Sequence, residues 1–365
     1  MRSFLALLLL GGLTLPAQGQ QRFSSASQRY EMFQASLRER ADEISRNSLT
    51  GLSDPAAWPA RKAALRHEML TMLGLDPLPE RTPLHAQVTG QFEREDYTVR
   101  KVLFQSMPGL YVTGNLYVPK HVTGRLPAVL YLCGHAPGLW GAKVNYQHHG
   151  IALARRGFVA FLIDTIEFGE ISGIHHGLHN LGMWNWLSLG YTPVGPEVWN
   201  AMRAMDYLET LPEVDPKRVA LTGISGGGSI TWYAAAADPR FSVVAPVCAT
   251  WTAGDQLAEK SVVENCDCMY FPNTFQLDFP VLGALIAPRP LKAIGAKRDV
   301  MFPPAGYHAV YRKVRPVYEM LGAAGKLEEF DYETEHKDIL PFRKEANEWI
   351  GRWLKDDSTP FEEGE

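Results

Sequence analysis

Five residues, Gly223-Ile224-Ser225-Gly226-Gly227, set one serine among glycines. They lie between an apolar run, Arg218–Leu221, and a segment rich in alanine and aromatic residues. The spacing is G-x-S-x-G, and its neighbours predict a strand before it and a helix after it. In that context the pattern is a sharp strand-to-helix turn that holds the serine in a strained backbone conformation. Small flanking residues let strand and helix approach without side-chain clashes. The helix N-terminus then presents free N–H groups and the positive end of its dipole beside the hydroxyl, where negative charge would develop. The bland alternative is a glycine-rich structural turn.

A serine hydroxyl attacks poorly unless a base takes its proton. On such a turn the partners follow in the order serine, acid, histidine. Two histidines lie beyond Ser225. His336 falls in Glu333–Asp338, between the last predicted strand and the last predicted helix. His308 falls inside a predicted helix and reads as a packing or surface residue. His336 is therefore the candidate base. Asp299 follows the strand Leu291–Gly295 and is the candidate acid, with Glu264, Asp267 and Glu335 as fallbacks and turn capping as its alternative role. Two aimed N–H donors are needed for an oxyanion. The candidates are the backbone N–H of Gly226 and, from the loop Cys133–Gly138, that of His135.

These residues need a scaffold. Residues 20–87 read as an amphipathic helical extension, with Tyr30, Phe33, Leu37, Ala41 and Ile44 at helical spacing. From residue 88 to 365 strands take over. Thr98–Ser106 and Leu110–Val118 predict a hairpin across Met107-Pro108-Gly109. Strands are then expected at Pro127–Leu132, Val159–Ile163, Arg218–Gly223, Phe241–Val247, Pro290–Gly295 and Lys326–Tyr332. Helices are expected at Val144–Arg156, Pro196–Leu211, Gly226–Ala237, 305–321 and 342–354. The order predicts an α/β fold, a mostly parallel sheet flanked by helices. Two segments interrupt it, 167–192 and 250–277. Each follows a strand, at the carboxyl end of the sheet where ligands bind.

The interruptions carry their own candidates. Trp184 and Trp186 could wall a sugar or acyl site, or could anchor the insert to the core. His175, His176 and His179 are spaced among glycines that argue against a helix, and a pocket-lining loop is the simpler reading than a metal site. Cys266-Asp267-Cys268 is a single C-x-C without a partner pair. Four cysteines in 365 residues do not make a disulfide framework. They could be free thiols, or Cys133 or Cys248 could pair with Cys266 or Cys268.

Composition bounds the rest. The chain is 46% apolar and 21% charged with a net charge of −4, which fits a globular core and gives no footing for nucleic acid. Arg2, the apolar run Phe4–Leu10 and Ala17-Gln18-Gly19 form a secretory signal pattern with cleavage near Gly19. No later stretch predicts a membrane span, so a secreted or periplasmic location is expected.

On Gly223–Gly228, Ala287-Pro288-Arg289-Pro290-Leu291, Asp299 before Phe302-Pro303, and His336-Lys337-Asp338, the chain resembles the α/β-hydrolase superfamily over residues 90–355. Within it, it resembles the acetyl xylan esterase-like carbohydrate esterases. The resemblance implies a Ser-His-Asp triad and ester hydrolysis through an acyl-enzyme, without a cofactor or metal, on small-molecule or carbohydrate esters. The chain departs from the pattern at Cys133-Gly134-His135 and at Asp164–Glu170. Two other readings are kept: a serine peptidase of the prolyl-oligopeptidase type, although no propeller precedes the domain, and a catalytically silent binding module on the same scaffold.

Overall fold

The computed structural model describes residues 25–52, 54–120, 122–136, 141–171 and 173–364. The signal pattern at residues 1–19 lies outside the described residues. The chain falls into two compact units, residues 1–37 and 38–365. The described part of the first is the N-terminal stretch of a helix, Ala26–Asn47. In the second, the helix Trp58–Met72 buries Trp58, Leu65 and Met69 in the main core.

Among the described residues, that core is built on nine strands. They are β1 (Gln87–Glu93), β2 (Tyr97–Met107), β3 (Leu110–Pro119), β4 (Leu126–Leu132), β5 (Val159–Ile163), β6 (Val214–Ile224), β7 (Val243–Val247), β8 (Leu291–Ala296) and β9 (Leu327–Tyr332). Their order across the sheet is β1-β2-β3-β5-β4-β6-β7-β8-β9. The first three pair antiparallel, β3 meets β5 antiparallel, and every later pairing is parallel.

The central strands are apolar on both faces because both faces are covered. Alternation along each strand sorts the side chains into two cores. Ala128, Leu130, Leu132, Phe161 and Leu221 point to one, together with the helices Val194–Thr210, Gly226–Ala237, Phe279–Ile286 and Pro304–Met320. Val129, Tyr131, Ala160, Leu162 and Ala220 point to the other, against Leu153 of the helix Gln147–Arg155 and Phe342, Trp349 and Ile350 of the helix Leu340–Lys355.

Several elements differ from the sequence reading; among them, a short helix forms at Gly177–Leu181, where the glycines argue against one. Strand β1 is almost wholly exposed and polar, so it carries no apolar alternation to read. The helix expected over Val144–Arg156 is two pieces, Ala142–Asn145 and Gln147–Arg155, broken at Tyr146. Phe279–Ile286 is a helix that was not expected. All eight of its residues are buried, so it has no polar face to give a period of 3.6.

The parallel strands β4, β6, β8 and β9 all end at the same edge of the sheet, which places the loops carrying His135, Ser225, Asp299 and His336 there together.

Candidate active site

Ser225 stands between the last residue of β6, Ile224, and the first of the helix Gly226–Ala237. Its φ is 59° and its ψ −126°, a conformation that costs on the order of 1–3 kcal/mol for a residue with a side chain. Its N–H donates to Val247 O at 3.0 Å, which ties the turn to the end of β7. Packing around the turn leaves no room for side chains. A Cβ on Gly227 would lie 2.0 Å from the Leu132 carbonyl oxygen of the neighbouring strand. The glycine thus lets the helix start directly behind the serine.

His336 and Asp299 meet. His336 Nδ1 lies 2.7 Å from Asp299 Oδ2. The other carboxylate oxygen of Asp299 accepts from the N–H groups of Met301 and Phe302, at 2.9 and 3.0 Å. The Asp299 side chain is fully buried and the imidazole one-fifth exposed. A carboxylate fixed in this way holds the proton on Nδ1 and leaves Nε2 as the basic atom. Phe302 stacks on the imidazole, with ring centres 5.7 Å apart.

The loop bearing His336 is fastened from below. Asp338 Oδ2 accepts from His148 Nε2 and His149 Nε2, both at 2.9 Å, and Arg343 reaches Oδ1 at 3.3 Å. Burial alone would raise the Asp338 carboxyl, but hydrogen bonds from the two histidines and the Arg343 charge hold it well below the usual range. His149 itself is pushed down by burial. His148 and His149 escaped the sequence reading; their only mark there is a histidine pair at the start of a helix.

Of the other candidate acids, Asp267 and Glu335 sit elsewhere, and the Glu264 side chain lies outside the described residues. Asp267 accepts from the N–H groups of Leu178 and His179, at 2.6 and 3.1 Å, and so caps a short helix in the first insert. Glu335 is exposed and paired with Lys337. His308 pairs with Glu329 and Asp331 on a helix flank.

The loop after β4 runs against the serine. A Cβ on Gly134 would lie 3.2 Å from Ser225 Cβ. The His135 imidazole covers Gly226, with its Cε1 2.6 Å from where a Cβ would be. Among the described residues, no hydrogen bond takes up the N–H of either Gly226 or His135. Cys133, in the same loop, is a poor nucleophile, because burial and then the nearby Asp164 charge push its thiol up.

The two tryptophans separate. Trp186 is buried, with its ring edge over Gly177 and against Tyr191, and anchors the insert. Trp184 is exposed at 65%. An apolar cavity of about 280 Å³ lies beside Trp251, Met269 and Tyr270, but none of Ser225, Asp299 or His336 lines it.

All four cysteines are free. Read in sequence, the histidines and the C-x-C imply no metal. Folded, they gather. His135 Nε2, His175 Nε2, Cys266 Sγ and Cys268 Sγ lie within 4.8 Å of one another. His179, which shares a helical spacing with His175, is not among them. His175 precedes the short helix Gly177–Leu181, so the two histidines do not share a helical face.

Similarity to known proteins agrees with this architecture. Residues 83–250 match the model of the acetyl xylan esterase family, AXE1. The chain is 24% identical over 308 residues to the putative hydrolase YtaP of Bacillus subtilis (strain 168), covering 80% of this chain and all of that one. Among solved structures, methylesterase BT1017 superposes with a TM-score of 0.67 at 20% identity, over 91% of this chain and 72% of that one. A glucuronoyl esterase from Solibacter usitatus superposes with a TM-score of 0.67 at 17% identity, over 83% of this chain and 95% of that one. These superpositions show that the chain shares its fold with both structures.

Proposed function

We propose that the chain is a carboxylic ester hydrolase of the acetyl xylan esterase-like branch, an exported serine esterase acting through Ser225, His336 and Asp299; the match of residues 83–250 to the acetyl xylan esterase family model and the fold shared with solved esterases support this reading. Ser225 Oγ attacks the ester carbonyl while His336 Nε2 takes its proton. Asp299 keeps the imidazole oriented and stabilises the cation that forms. The N–H groups of Gly226 and His135 receive the developing oxyanion. The tetrahedral adduct collapses, His336 returns the proton to the leaving alcohol, and the acyl group stays on Ser225. Water then enters by the same route and releases the acid.

The observation that carries this reading is the buried Asp299–His336 pair at 2.7 Å, held by a loop at the same sheet edge as the strained Ser225. The substrates are acylated carbohydrates or other small esters. Support for a sugar substrate comes from the carbohydrate esterases among the relatives, including one named carbohydrate esterase MZ0003, 31% identical over 138 residues. Export rests on the leader pattern at residues 1–19, and the mass of the mature chain tests it: cleavage near Gly19 is expected.

Hydrolysis of p-nitrophenyl acetate by the mature chain, beside Ser225→Ala, tests the chemistry. The wild type should turn over and the variant should lose about 10³-fold or more in kcat. Equal rates in the two would remove Ser225 from the mechanism. A panel of acyl-chain lengths and acetylated sugars then sets the substrate.

A further inference from the structure

We propose that His135, His175, Cys266 and Cys268 bind one zinc ion, which ties three loops together beside Ser225. The claim stands on the donor set and does not depend on the esterase reading. His135 Nε2 lies 2.7 Å from His175 Nε2, 3.5 Å from Cys266 Sγ and 3.6 Å from Cys268 Sγ. His175 Nε2 lies 3.3 Å from Cys266 Sγ, and the two sulfurs are 2.7 Å apart. A tetrahedral zinc with bonds of about 2.3 Å to sulfur and 2.0–2.1 Å to nitrogen needs ligand atoms about 3.3–3.8 Å from one another. Three of the nitrogen–sulfur separations already fall in that range, and the fourth is within 4.8 Å. The two short ones widen by about 1 Å or less as an ion enters between them.

The chemistry selects the ion. Two thiols and two imidazoles form a soft, four-donor set of the kind that zinc occupies, and calcium or magnesium would require oxygen ligands. The orientation of His175 is fixed from outside the set. Its Nδ1 is 2.8 Å from Glu197 Oε1, on a buried carboxylate of the helix Val194–Thr210. That contact keeps the proton on Nδ1 and turns the Nε2 lone pair toward the other donors, as a carboxylate behind a metal-bound histidine does. Both cysteines bind as thiolates, and whatever thiol proton remains leaves to solvent as the ion enters.

Placement gives the ion its purpose. His135 comes from the loop after β4, His175 from the insert after β5, and Cys266 and Cys268 from the insert after β7. These strands lie on both sides of β6, which carries Ser225. Four protein donors close the coordination shell, so the ion is a staple and offers no open position to substrate. It holds the His135 imidazole over Gly226, and with it the backbone N–H assigned to the oxyanion.

The test is the zinc content of the chain after equilibration with zinc chloride under reducing conditions and dialysis into metal-free buffer. Wild type and Ser225→Ala should each retain one zinc per chain. The double variant Cys266→Ser, Cys268→Ser should retain none. Cobalt exchanged into wild type should give thiolate-to-cobalt charge-transfer absorption. This reading, like the wild-type stoichiometry, decides the matter even if the double variant does not fold. Wild type without stoichiometric zinc overturns the proposal. So does a double variant that keeps its zinc, or an unreduced wild-type mass lighter by two hydrogens from a Cys266–Cys268 disulfide. Zinc bound without ester turnover would leave the staple standing and remove the esterase; turnover without zinc would do the reverse.

Discussion

At the scale of single residues, the account rests on what each side chain is prevented from doing. Ser225 is prevented from relaxing out of a left-handed conformation by the helix directly behind it and the strand beside it. Asp299 is prevented from turning by the two backbone N–H groups on its second oxygen. Asp299→Asn keeps an acceptor for those N–H groups but presents either an amide or the wrong tautomer demand to His336. Its kcat should fall by about 10⁴-fold while the melting temperature stays close to wild type. Kinetics and thermal unfolding on the same preparation separate the two effects, and a large loss of stability with little loss of rate would contradict the assigned role. These residues were legible in the sequence because each lies in a short local signature: a glycine-flanked serine, a carboxylate just past a strand, a histidine before the last helix. The zinc donors were not. They are 133 residues apart at the extremes of the pairs that touch, and each signature alone is weak. Only the return of three separate strands to one edge of the sheet puts them in contact.

Elements position the residues. The loop bearing His336 is fixed to the helix Gln147–Arg155 through Asp338, and Asp338 is a positioning residue for the imidazole. Asp338→Asn should lower kcat about tenfold with little change in KM, since the base is displaced and not removed. The pH dependence of stability follows from the same contact. The Asp338 carboxyl is held below its unfolded value, so the unfolded chain takes up the proton first as the pH falls. Its contribution is fully present above about pH 4 and is lost progressively below it. Urea midpoints measured between pH 5 and pH 3 should fall more steeply for wild type than for Asp338→Asn. Parallel curves would mean that the contact contributes no pH-dependent stability. The elements legible in the sequence were those with a clear period: the β2–β3 hairpin, the buried central strands and the amphipathic last helices. The polar edge strand β1 and the wholly apolar helix Phe279–Ile286 have no period to read, because one faces solvent throughout and the other faces none.

For the whole molecule, the sheet works as a template on which chemistry is sorted by strand. β6 leads to Ser225, the proposed nucleophile, β8 and β9 lead to Asp299 and His336, its proposed acid and base, and β4 leads to His135, the proposed N–H donor beside it. The two inserts after β5 and β7 meet over that donor through His175, Cys266 and Cys268. Among the described residues no helix is long and apolar enough to cross a membrane. The fold class could be inferred from strand and helix order, since parallel strands with helical crossovers need cover on both faces. Contacts between loops could not, because no periodicity governs them. The central claim is that Ser225 becomes covalently acylated. Its most direct test is reaction of the mature chain with a fluorophosphonate, followed by intact mass and peptide mapping. One adduct per chain, located at Ser225, absent in Ser225→Ala and formed far more slowly in His336→Ala, is the predicted result. An adduct on another residue, or equal labelling of wild type and Ser225→Ala, would contradict the account.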